Sequence, residues 1–198
     1  MRKECTRSLS IKKGILLDTN AYLRLADNLH PLLSRTFGTD PVFELKILGG
    51  TIGEYNYQSR LKSKFDWVMS GRHVDDRRRG VLRLNSMGEE AVNDIWQFIL
   101  SESQERAPYC SRFDIRCLAT AYELGLTLVT DDRPLRLLAK DYEVECLSTL
   151  GLLSLMKKHQ HVDMEQIQGT VHLWRFNDDL PGNFYAEFLS LFGVAPEI

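Results

Sequence analysis

An α/β domain built on a central, mostly parallel sheet flanked by helices is the fold class this sequence predicts, and three observations carry it. Apolar runs that end in turn or helix-start residues recur at GILLD, FELKIL, VLRLN, LTLVT and, more weakly, EVECL. Helical patterns fill the intervals between them, the alternation expected of a parallel sheet. At 198 residues, 43% of them hydrophobic, the chain can bury a full core within one compact domain.

The elements follow in order. GILLD reads as a strand closing at Asp18, with a helix over Asn20 to Asp27 after it. FELKIL is a second strand, and the pattern from Ile52 to Met69 reads as one helix. VLRLN is a third strand, followed by a helix from Glu89 to Glu105. CSRFDIRCLATAYELG opens a helix over Phe113 to Leu124, LTLVT is a fourth strand, and a helix over Leu135 to Lys140 leads to EVECL. The alternation fades after Lys158, which divides the chain into a main domain, 1–158, and a C-terminal extension, 159–198. In the extension Phe184, Phe188, Leu191 and Phe192 fall on one helical stripe, as expected of a helix packed on the domain, the rival being a homodimer or partner surface.

Composition narrows the function classes. A charged fraction of 26% and a net charge of -2 argue against a basic, non-specific nucleic-acid coat, so an anionic ligand must be held locally. Cys5, Cys110, Cys117 and Cys146 lack CxxC spacing, which favours reduced thiols and a cytoplasmic location. The basic lead MRKECTRSLSIKKG is followed only by the short apolar run Ile15 to Leu17, and no stretch approaches the length of a membrane span.

In parallel sheets ligands sit beyond the carboxyl ends of the strands, and acidic residues recur there. Asp18 ends GILLD, Glu54 lies after FELKIL in GGTIGEY, Asp114 opens a helix, and Asp131 and Asp132 follow LTLVT. Each has a structural explanation as well. Thr51 with Glu54 and Ser111 with Asp114 match the capping box; Asp132, two residues before Pro134, suits a helix cap and Asp18 a turn. Ser86 with Glu89 matches the same spacing and serves as a control, since no chemistry is expected of it. Capping alone, however, does not call for acids after several strands of one sheet. Carboxylates brought together raise one another's pKa, and an oxygen-only set without neighbouring His or Cys ligands favours Mg2+ or Mn2+ over Zn2+.

LLDTNAYL at the first strand and DIRCLATAYELGLTLVTDD, from about Gly14 to Leu155, resemble the PIN domains, whose nuclease members include the toxins of virulence-associated toxin/antitoxin pairs. The resemblance implies a three-layer fold and a metal-dependent endoribonuclease cutting RNA to 5'-phosphate and 3'-hydroxyl ends, with an antitoxin protein as a partner. By position it assigns catalysis to Asp18, Glu54, Asp114 and Asp132, with Asp18, Asp114 and Asp132 holding Mg2+ or Mn2+. Asn20 and Thr130 would support them, Asp131 stays an ambiguous neighbour of Asp132, and Glu44 is a weaker rival to Glu54. The basic lead and the long extension depart from the compact toxin pattern.

Substrate grip requires cations, which the segment from Arg60 to Arg83 offers, above all Arg77, Arg78 and Arg79 in an expected exposed turn before Gly80. Tyr55, Tyr57, Phe65 and Trp67 read either as base-stacking groups or as core. His159 and His161 lack a matched third ligand and read as surface residues. The rival functions are a catalytically inactive RNA-binding or protein scaffold, a structure-specific DNA nuclease, and a phosphohydrolase with Asp18 as nucleophile, although Asn20 stands where the last would need a second aspartate.

Overall fold

A computed structural model describes residues 11–57, 59–106 and 110–197; Cys5 and most of the basic lead lie outside them. Five strands, β1 (Lys12–Leu17), β2 (Thr36–Phe37), β3 (Val42–Lys46), β4 (Thr127–Val129) and β5 (Cys146–Leu147), form one sheet in the order β2-β3-β1-β4-β5. Only β2 runs antiparallel to its neighbour. The register sets Leu16 beside Lys46 and Leu128, and Leu17 beside Val129, so β1, β3 and β4 finish level with one another.

Alternation on β1 explains the layering. Ile15 and Leu17 join one buried cluster and Leu16 the other, because successive side chains of a strand point to opposite faces. On the first face lie α1 (Thr19–Ala26), α8 (Thr149–Lys158), α9 (Met164–Phe176) and α10 (Phe184–Phe192). On the second lie α5 (Ser86–Arg106), α6 (Arg112–Leu124) and α7 (Arg133–Asp141). The result is a three-layer α/β fold.

The structure departs from the expected elements in four places. VLRLN is not a strand: β1 and β2 flank β3, and Val81 reaches only a single parallel bridge to Ile47, beyond the end of β3. The helix expected over Ile52 to Met69 is α2 (Thr51–Tyr57), α3 (Ser59–Lys64) and a 3-10 turn (Asp66–Met69), because the chain bends at Phe65 to bury Phe65 and Val68. The segment carrying Arg77 to Arg79 is α4 (Gly71–Gly80), a helix rather than a turn. In the extension α10 is the expected helix and buries Phe184 and Phe188 with Ile15 and Leu17, but α9, which adds Ile167, Val171 and Trp174 to that core, is not marked by the pattern, and Leu191 leaves the expected stripe to face outward.

Cys110, Cys117 and Cys146 are free thiols. Among the described residues no helix is long and apolar enough to cross a membrane.

Candidate acidic active site

Strand ends and helix starts place the acidic side chains. Asp18 follows β1, donates its N–H to the Val129 carbonyl at 3.1 Å and caps α1, its Oδ1 accepting the Ala21 N–H at 2.6 Å. Thr130 follows β4, and its hydroxyl bonds the Asp18 carboxylate while accepting the Asp132 N–H at 3.0 Å. Asp132 caps α7 by accepting the Leu135 N–H at 2.7 Å. Asp114 and Ser111 form the expected capping box, each side chain accepting the other's backbone N–H at 3.0 Å.

Glu54 behaves differently. Its backbone N–H bonds the Gly50 carbonyl, and its carboxylate reaches out of α2 to the Thr19 hydroxyl on α1 and to Ser111 Oγ, 3.5 Å away at the start of α6. Capping therefore does not explain Glu54, whereas the Asp18, Asp114 and Asp132 side chains cap helices while facing the same region. The control pair separates from them: Asn85 caps α5, and Glu89 pairs with Arg116 at 2.8 Å.

Charge is accumulated here at a cost. Asp18, 2% exposed, has its carboxyl pushed from 3.8 up to about 7 by burial, with bonds from Thr130 and Ala21 pulling down and Asp131 and Asp114 adding repulsion. Burial also raises Glu54; the Thr19 bond opposes it and Asp114 reinforces it. Asp114 is raised by burial against its Ser111 bonds, with Asp132 adding to the rise. Asp114 is thus the common neighbour whose charge is felt at Asp18 and Glu54 and which itself feels Asp132. The buried Cys117 thiol is pushed well above its ordinary value by burial first and then by Asp18, Asp114 and Glu54.

Asp131 points elsewhere. It accepts from Arg24 at 2.6 Å and from the N–H and hydroxyl of Thr149, the N–H at 2.9 Å. Arg24, 12% exposed at its side chain, also pairs with Asp179 at 2.8 Å. Arg24 and Asp179 are residues the sequence does not mark, as are the roles of Thr19 and Ser111 as partners of Glu54. Arg24 meets acids 107 and 155 positions away, and no local pattern encodes such a pairing.

The other candidates spread out. Asn20 is exposed on the first turn of α1. Arg77 requires correction: it is 6% exposed and donates to the Tyr22 hydroxyl at 3.1 Å, because its helix face packs inward. Arg78 lies 3.5 Å from Asp75 on the exposed face, and Arg79 is exposed. Glu44 pairs with Lys12 at 2.7 Å and Lys46 at 3.4 Å. Tyr55 and Phe65 are buried, Trp67 packs on Tyr22 and His73, and Tyr57 is exposed. His159 and His161 lie against Phe37.

The candidate acids and their Thr and Ser partners offer oxygen donors, and the raised proton affinities of Asp18, Glu54 and Asp114 describe acid that a cation would neutralise, so these residues fit Mg2+ or Mn2+ chemically. Asp18, Asp114 and Asp132 each use an oxygen in a helix cap. Among the described residues no three acidic, histidine or cysteine side chains are grouped closely enough to hold a metal ion.

No protein-family model and no curated protein matches the sequence. Similar solved structures include two crystal structures. The crystal structure of FitAcB from Neisseria gonorrhoeae gives a TM-score of 0.45 at 18% identity over 68% of this chain and 97% of that one. The crystal structure of PAE2754 from Pyrobaculum aerophilum gives a TM-score of 0.51 at 22% identity over 75% of this chain and 99% of that one. With its three layers, its mostly parallel sheet in the order β2-β3-β1-β4-β5 and this likeness to PAE2754, the chain has a PIN-like fold.

Proposed function

We propose that the chain is a metal-dependent endoribonuclease that hydrolyses RNA phosphodiester bonds at Asp18, Glu54, Asp114 and Asp132. The observation that supports this reading is that acids following the strands of one sheet feel one another's charge, Asp114 at Asp18 and Glu54 and Asp132 at Asp114, while burial is the main cause that raises all three carboxyls. Caps alone do not require acids near enough to feel one another's charge.

Asp18, Asp114 and Asp132 would hold the metal, with Thr130 aligning Asp18. Bound Mg2+ or Mn2+ supplies charge for the scissile phosphate and acidifies a water molecule. Glu54, whose carboxyl has a raised proton affinity, is suited to take a proton from attacking water, and the Thr19 hydroxyl fixes the direction in which it points. The N-terminal ends of α1, α6 and α7 favour the phosphate's negative charge. As the toxin of a toxin/antitoxin pair, the role the sequence resemblance implies, the enzyme would be held silent by an antitoxin protein.

The test is cleavage of a mixed single-stranded RNA, and in parallel a DNA of the same sequence, with Mg2+ or Mn2+, with chelator, and with Asp18→Asn and Asp114→Asn proteins. We expect metal-dependent cutting of RNA that falls about 100-fold or more in each variant. Well-folded protein that cuts nothing at any metal level, or variants that cut like the wild type, would overturn the reading; cutting of DNA alone would reassign the substrate.

A further inference from the structure

A cleft of about 660 Å3 opens between α7 and the start of α10, with Asp131, Arg133, Arg136, Asn183 and Glu187 in its lining. None of Asp18, Glu54, Asp114 and Asp132 lines it; its link to the acidic site is Asp131, which precedes Asp132 in the chain and whose charge is felt at Asp18. Its acids are already engaged: Asp131 is paired with Arg24, and Glu187 accepts the Ser148 hydroxyl. Arg133 and Arg136 are exposed, lie one helical turn apart at the start of α7, and form no ion pair with any described residue. Two unpaired guanidinium groups therefore dominate this wall, in a chain whose net charge is -2. The helix dipole of α7 adds to the same sign. On the opposite wall Asn183 occupies the cap position of α10 in the left-handed backbone region, φ 63°, and its side chain makes no capping bond. Its carboxamide is thus available to a ligand.

We propose that this cleft is the track for the strand on one side of the scissile phosphate, with Arg133 and Arg136 binding its phosphodiesters and Asn183 facing them from the extension. The inference rests on the nuclease reading and deepens it. It moves the substrate grip from Arg77, Arg78 and Arg79 on α4 to α7, next to the acids, where cations can hold a polyanion that the carboxylates alone would repel. Guanidinium groups suit phosphate because their planar fork of donors matches its oxygens.

The experiment measures binding rather than cutting. A short fluorescent single-stranded RNA is titrated into the full chain in chelator across a range of salt, using wild type, Arg133→Gln/Arg136→Gln and Arg78→Gln/Arg79→Gln, with circular dichroism to show that each is folded. The first double variant should bind about tenfold more weakly and lose about 1.4 from the slope of log K against log salt, about 0.7 for each phosphate contact to a single strand. A matching fall with single-stranded DNA assigns the contacts to phosphates alone, and a fall confined to RNA assigns them to the RNA strand; both support the cleft. Unchanged affinity and slope, loss appearing only in the α4 variant, or no binding by wild type at low salt overturns it. RNA binding lost in the α7 variant by a protein that never cuts would sink the nuclease reading while leaving the cleft in place.

Discussion

Burial keeps the Asp18 carboxyl protonated up to about pH 7 although Thr130 and Ala21 both bond its charged form. Its proton affinity is higher folded than unfolded, so its contribution to the stability of the metal-free protein is complete below about 3.8 and is lost as pH rises through about 7. Asp18→Asn, which keeps an oxygen for the Ala21 N–H, should flatten that decline. In chelator near neutral to mildly alkaline pH the variant should be the more stable protein, with a ceiling of about 4 kcal/mol, from roughly three pH units at about 1.4 kcal/mol each. Denaturation curves as a function of pH test this; a decline of the same size between about 3.8 and about 7 in both proteins would show that another group causes it. Arg24 makes the reverse case. Arg24→Met leaves Asp131 and Asp179 without their shared cation in a largely buried setting and should cost about 3–5 kcal/mol, read as a lowered denaturation midpoint. A loss below about 1 kcal/mol would mean that Thr149 and Lys64 suffice for those acids.

The contact between α2 and α6 turns on Gly50. A Cβ built there would stand 2.4 Å from the ring of Phe113, the residue beside Asp114. Gly50→Ala therefore forces the Phe113 ring to shift, and if the ring cannot yield, α2 and α6 separate and the gap between Glu54 and its Ser111 partner widens. Such overpacking costs about 1–3 kcal/mol, and we expect cleavage to fall as well although no reactive group has changed. Pairing it with Phe113→Leu, which removes the ring, should restore part of both; a Gly50→Ala protein with normal stability and activity would show that the two helices separate freely. The same helix starts explain why capping spacing was an incomplete guide. Ser111 with Asp114 forms a full capping box, whereas Thr51 leaves its buried hydroxyl without a partner and Glu54 turns to α1 and α6.

The extension belongs to the mechanics of the whole molecule. Trp174 donates its indole N–H to the Arg24 carbonyl at 2.7 Å, Asp179 shares Arg24 with Asp131, and Phe184 and Phe188 are fully or almost fully buried in the cluster that holds Ile15 and Leu17. These contacts join α9 and α10 to the helix that begins at Asp18. Phe188→Ala should cost about 3–5 kcal/mol and lower the single unfolding transition of the whole chain. Two separate transitions, with only the first displaced, would mean that the extension folds independently of the sheet.

The sequence by itself determined the fold class, the strands β1, β3, β4 and β5, and the places where acids follow the sheet, because hydrophobic alternation and helix-start chemistry are local properties of neighbouring residues. It also carried the aromatic stripe of α10, whose period was visible even where its packing partner was not. Tertiary structure decided the rest. VLRLN looks like a strand yet reaches one bridge because β3 already has a neighbour on either side; Arg77 looks like an exposed cation yet lies inside against Tyr22. Asp131 and Asp132 are adjacent and chemically identical in sequence, and only the arrival of Arg24 and Thr149 from distant segments turns one of them away into an ion pair while its neighbour caps α7 beside Asp114. Period and capping are encoded within a few residues, whereas charge pairing and burial depend on which remote elements the folded chain brings together.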